Sequence, residues 1–177
     1  IEGRESEDLY NWKKPIKILL PTLSWEKRGI GGVVRNPCVV RHGDLYYLYY
    51  SGGEQQIKML GWAEPKYIGL AISENLLGPY EKIKRPIIKP SRRCPYRNIA
   101  SGGLRVYRWF GDYFIGLENS IYIDKQGLPR SAIILLVSVN GIKWHYVTTL
   151  IPPTERWKKA LVWQLDAKLF GNEIWIY

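Results

Sequence analysis

The chain has 177 residues, 46% of them hydrophobic, and a formal net charge of +10. That length suits one ordinary domain, and that apolar share excludes wholesale disorder. No run of 18 apolar residues occurs, so neither a membrane helix nor a membrane partner is expected. Eight Trp and thirteen Tyr are the unusual figures, and they suit either a β-rich fold packed on aromatics or stacking surfaces for sugars or bases.

The N-terminus, Ile1-Glu2-Gly3-Arg4, matches a factor Xa cleavage sequence. Residues 1–8 are therefore set aside as a tag remnant and a disordered lead-in. The stretch is acidic and polar and does not read as a signal peptide, which points to the cytoplasm. Residues 9–20, with Leu9-Tyr10-Asn11-Trp12 and Ile16-Lys17-Ile18, read as one lone outer strand.

From residue 33 onward the chain repeats itself. Gly43-Asp44 opens Leu45-Tyr46-Tyr47-Leu48-Tyr49-Tyr50, Gly111-Asp112 opens Tyr113-Phe114-Ile115-Gly116, and Gly171-Asn172 opens Glu173-Ile174-Trp175-Ile176-Tyr177. Each Gly-Asp or Gly-Asn pair is a hairpin signal between two apolar runs, so Asp44 and Asp112 read as turn formers. After the first two hairpins a strand ends at Ser73 or Ser138, a turn follows, and an aromatic, Tyr80 or Trp144, opens a fourth strand. No apolar run keeps a 3.6-residue period over twelve residues, so helix is expected to be scarce.

The expected fold is all-β: a partial β-propeller of four-stranded antiparallel blades. One domain spans 9–177, with full blades at 33–90 and 98–153 and a half-blade at 160–177. Two isolated blades and a half leave edges and a face open. Three completions are open: a longer propeller, closure of the last blade by the N-terminal strand, or a second copy of the chain.

From Glu81 to Arg97 lie seven basic residues, Lys82, Lys84, Arg85, Lys89, Arg92, Arg93 and Arg97, with Glu81 the one acid. Such a run suits phosphates or an acidic polymer, but no nucleic-acid motif accompanies it, so a solvated face is the expected reading and nucleic acid is not the expected partner. Cys38 and Cys94 form no metal-ligand or disulfide pattern. His42 and His145 stand alone. No metal and no cofactor are expected.

The blade motifs resemble the five-bladed propellers of glycoside hydrolase family 43 and its relatives in families 32, 62, 68 and 130. The resembling pieces are Arg35-Asn36-Pro37-Cys38-Val39-Val40 leading to Gly43-Asp44-Leu45-Tyr46-Tyr47, then Gly69-Leu70-Ala71-Ile72-Ser73 with Gly78-Pro79-Tyr80, then Ser138-Val139-Asn140-Gly141-Ile142-Lys143-Trp144. The resemblance implies a carbohydrate partner at the propeller axis and acids on the innermost strands. Glycoside hydrolysis needs two carboxylates across the scissile bond. The first expected acid position reads Asn36, an amide, and the second reads Ser101-Gly102-Gly103.

The remaining acids are Asp166 on the third innermost strand and Glu118 at the end of a second strand. They are the expected catalytic pair. Arg35, Asn36, Glu54, Ser101 and Trp163 are the expected substrate contacts, Trp163 by stacking on a sugar ring. An inactive propeller that binds a glycan or a protein is the alternative reading, and nucleic-acid binding through the basic segment 82–97 is the third.

Overall fold

The structure is a computed structural model, which describes residues 1–29, 31–152, 161–163 and 165–177. Among these residues there is no α-helix. Strands β1 (Glu2–Gly3) and β2 (Ile16–Lys17) pair with each other. Blade I is the sheet β3 (Val34–His42), β4 (Leu45–Ile57), β5 (Trp62–Ser73) and β6 (Glu81–Lys82), in chain order. Blade II is β7 (Ala100–Tyr107), β8 (Phe114–Ile123), β9 (Pro129–Ser138) and β10 (His145–Ile151), also in chain order. A two-stranded part-blade, β11 (Ala167–Phe170) and β12 (Glu173–Ile176), follows. Every pairing is antiparallel, so the fold is the partial propeller that the repeat implies.

The hairpin glycines do what their positions require. Gly43, Gly111 and Gly171 all have positive φ, at 60°, 51° and 57°, where a Cβ is penalised. The first and third turns have two residues, Gly43-Asp44 and Gly171-Asn172. The second is wider, spanning residues 108–113, because Tyr107 ends β7 early and Tyr113 turns back onto Phe110 through a backbone bond.

Period-two alternation sorts the aromatics by face. In β4, Tyr47 and Tyr49 point toward blade II, into a core with Ile68, Leu70, Leu104, Val106, Phe114, Ile134 and Leu136. Leu48 and Tyr50 point the other way, into a cluster with Leu19, Trp25 and Ala71. A Phe114→Ala or Leu70→Ala change would empty a fully buried site between the blades and cost about 2–5 kcal/mol. The Tyr49 hydroxyl also donates to the Gly141 carbonyl at 3.0 Å, across the same seam. Most of the Tyr and Trp excess is thus packing.

Two expectations change here. Residues 1–8 are not a disordered lead-in: Glu2 and Gly3 form β1, and the Ile1 ammonium donates to the Leu19 carbonyl at 2.8 Å. The segment 9–20 is not one strand, and its two strand residues pair with β1 rather than closing the last blade. The N-terminal segment instead covers the outer face of blade I. Fully buried Glu26 locks it there, accepting from the Thr22 and Leu23 amides, the Tyr50 hydroxyl and the Lys82 ammonium.

Candidate functional site

The innermost strands β3 and β7 break register just where they meet. β3 slips between Arg35 and Cys38, with Asn36 at φ 54°, and β7 slips between Ser101 and Gly103. Such bulges re-aim side chains and open the ladder. The Asn36 side-chain amide turns across the seam and donates to the Gly102 carbonyl at 2.7 Å. The Ser51 hydroxyl donates to the same carbonyl at 3.0 Å.

Beside this junction lies a pocket of about 70 Å³. Asn36 and Glu64 line it from blade I, Gly102, Gly103, Arg105 and Asn119 from blade II, and Trp163 and Leu165 from the segment before the part-blade. Glycine at 102 and 103 keeps it open. A Cβ at Gly102 would stand 2.6 Å from Asn119 Oδ1. The volume is far below the roughly 300 Å³ of a usual small-molecule site, so these residues form one subsite rather than a whole one.

Two of the expected contacts are therefore brought together, Asn36 and Trp163. Trp163 is positioned by its neighbour. Asn119 and Ser131 donate to the Val162 carbonyl at 2.6 and 2.7 Å, and Ser131 also accepts from the Val162 amide. The indole itself remains 44% exposed, open to a ligand. Both pocket asparagines spend their N–H₂ groups on carbonyls, so Asn36 Oδ1 and Asn119 Oδ1 are left as acceptors.

Glu64 is the acid that the sequence reading missed. The β4–β5 hairpin overruns the start of β3, because Val34 pairs with Gly52 while β4 continues to Ile57. Glu64 sits on that overhang, on the same face of β5 as Ile68 and Leu70, turned toward blade II. It is 9% exposed. Burial pushes its carboxyl above the usual range, against a smaller lowering by the Trp62 hydrogen bond and the Arg35 charge. Its signal in the sequence was only a lone acid in a strand whose one other charge is Lys66.

Asp166 and Glu118 are not brought together. Glu118 is fully buried and accepts from Arg97 and from the Ser101 hydroxyl. It shares the face of Phe114 and Gly116, toward blade I. Burial raises its carboxyl, opposed by Arg97 and Ser101. Asp166 is exposed at the opposite end of β7. It accepts from the Tyr107 hydroxyl at 2.6 Å and the Ala167 amide at 2.9 Å, which hold it below the usual range. Ser101 and Tyr107 stand six residues apart on β7, about 20 Å at 3.3 Å per residue. Retaining and inverting pairs stand about 5–9.5 Å apart, so this pair does not have that geometry.

The other expected contacts are also placed. Ser101 is fully buried beneath the pocket wall and bound to Glu118. Arg35 lies behind Glu64, with Nη2 3.4 Å from the Ala63 carbonyl and a buried Nε that has no partner among the described residues. Glu54 faces the outer side of β4, against Gly29, away from the pocket. Of the basic run, Lys82 and Arg97 are internal partners of Glu26 and Glu118, while Lys84, Arg85, Lys89, Arg92 and Arg93 are exposed. His42 packs edge-on against Phe114 and Tyr47.

No family model and no curated protein matches this sequence. Solved structures do. One, a complex of BT0996 with RGII, aligns with a TM-score of 0.73 and 15% identity over 96% of this chain and 53% of its own. A Bombyx mori GH32 beta-fructofuranosidase, BmSUC1, solved in complex with sucrose, aligns at 0.67 and 18% identity over 98% of this chain and 33% of its own. A further glycoside hydrolase aligns at 0.57 and 12% identity, over 97% and 71%. The fold is that of the propeller glycosidases. The chain spans about half of the first of these structures and a third of the second.

Proposed function

We propose that this chain is a glycosidase-like, carbohydrate-active propeller whose axial pocket binds the end of a glycan. The observation that carries the reading is the meeting of Trp163, Asn36, Asn119, Glu64 and Arg105, from three separate segments, around one opening beside the innermost strands. Their chemistry suits a sugar. The indole offers a flat apolar face, the two Oδ1 atoms accept from hydroxyls, the guanidinium donates, and the Glu64 carboxyl faces the same opening. Glycan binding is tested by calorimetry over an oligosaccharide panel. Trp163→Ala should weaken any hit at least tenfold. A panel with no binding at millimolar concentration overturns the reading.

Glu64 supports a second reading, in which the pocket also cleaves. A buried carboxyl that keeps its proton to higher pH is the kind of group that protonates a departing glycosidic oxygen. Hydrolysis further requires a second carboxylate, and among the described residues that line the pocket Glu64 is the one acid. Turnover of any glycoside, abolished in Glu64→Gln with binding retained, would support cleavage. Equal turnover in Glu64→Gln would remove Glu64 from that role.

A further inference from the structure

The charge around the pocket differs from what a neutral sugar needs. Arg105 projects from β7 into the opening, and its Nη1 donates to the Pro37 carbonyl at 3.0 Å. That bond fixes the guanidinium across the seam between the blades while committing one of its five N–H groups. Arg35 adds a second positive charge behind Glu64. Two acids oppose them: Glu64, which lines the pocket in front of Arg35, and Asp166, whose charge Arg105 also feels but which is exposed and already engaged by Tyr107 and Ala167.

We propose that the subsite takes an acidic sugar, its carboxylate held by the Arg105 guanidinium and its ring laid on Trp163. This inference rests on the glycan-binding reading. A carboxylate matches the planar fork of an arginine, which can present two parallel N–H donors, whereas a sugar hydroxyl uses one. In a site of about 70 Å³, walled by Leu104, Leu117 and Leu165, such a pair is only partly screened. The two asparagine Oδ1 atoms then accept from the ring hydroxyls that flank the carboxylate.

The test measures binding of uronate-containing oligosaccharides and of their carboxyl-reduced counterparts at low and moderate salt. The acidic forms should bind at least tenfold tighter, and the advantage should shrink as salt rises. Arg105→Gln should bring the two forms to parity, and Arg105→Lys should restore part of the preference. Melting curves of both variants check that the lost Pro37 contact has not unfolded the chain. Equal binding of acidic and reduced forms overturns the inference and leaves the glycan reading standing. An acid preference unchanged in a folded Arg105→Gln also overturns it. Binding of neither form removes both.

Discussion

Asn36 donates its side-chain amide to the Gly102 carbonyl at 2.7 Å, and so ties the first strand of blade I to the first strand of blade II beside the axis. The same residue occupies the position where the resembling glycosidases imply an acid. Replacing it with that acid would not build a catalyst. Asn36→Asp removes the donor and sets a carboxylate oxygen against a carbonyl. It should lower stability by about 1–3 kcal/mol in urea unfolding at neutral pH. Asn36→Gly keeps the positive φ of 54° and loses only the bond, so it should cost less. A fully stable Asn36→Asp would show that the bond carries no weight.

Gly102 and Gly103 separate pocket volume from fold. An added methyl at Gly103 meets nothing closer than Asn36 Nδ2, at 3.8 Å, an ordinary van der Waals contact on the pocket side. Gly103→Ala should leave the melting temperature nearly unchanged and weaken ligand binding about tenfold. Gly102→Ala would press its Cβ on Asn119 Oδ1 and should destabilise by about 1–3 kcal/mol. If Gly103→Ala binds as tightly as the parent, the ligand does not enter this pocket.

Glu118 holds the blade rather than the chemistry. Its carboxylate is fully buried and shared by Arg97 and Ser101, so Glu118→Ala leaves a mostly buried guanidinium without its partner. Such a loss should cost about 3–5 kcal/mol. The surviving folded fraction should bind ligand with unchanged affinity, read by calorimetry corrected for active concentration. A stable Glu118→Ala with lost binding would return Glu118 to the site.

The blade architecture was legible because its signals are local. Gly43, Gly111 and Gly171 mark turns, and the alternation of Tyr47, Leu48, Tyr49 and Tyr50 marks two packed faces within one strand. Asn36 and Trp163 were legible because each lies at or just before the start of an innermost strand. Glu64 was not. Its place in the pocket depends on β4 and β5 running past β3 and leaning over the seam, a length difference that no single strand records. The expected pairing of Glu118 with Asp166 failed for a related reason. Glu118 ends a second strand and Asp166 belongs to an innermost one, and neither strand by itself records that they stand on opposite faces and opposite ends of blade II.

Glu64 should also write itself into the pH dependence of stability. Its folded carboxyl is raised above the ordinary value of 4.5 by desolvation, so the folded state holds the proton more tightly than the unfolded chain. Its contribution is full below the unfolded value and declines as pH rises through the raised folded one. Glu118 acts with the same sign. Asp124 and Asp166, lowered from 3.8, act with the opposite sign and lose their contribution only as pH falls below that range. Glu64→Gln removes one declining component and leaves the others. In urea unfolding from pH 4 to 8, the variant should therefore gain on the parent as pH rises and then level off. A difference between the two proteins that is constant across that range would show that Glu64 titrates normally, and would withdraw it as a proton-bearing group of the pocket.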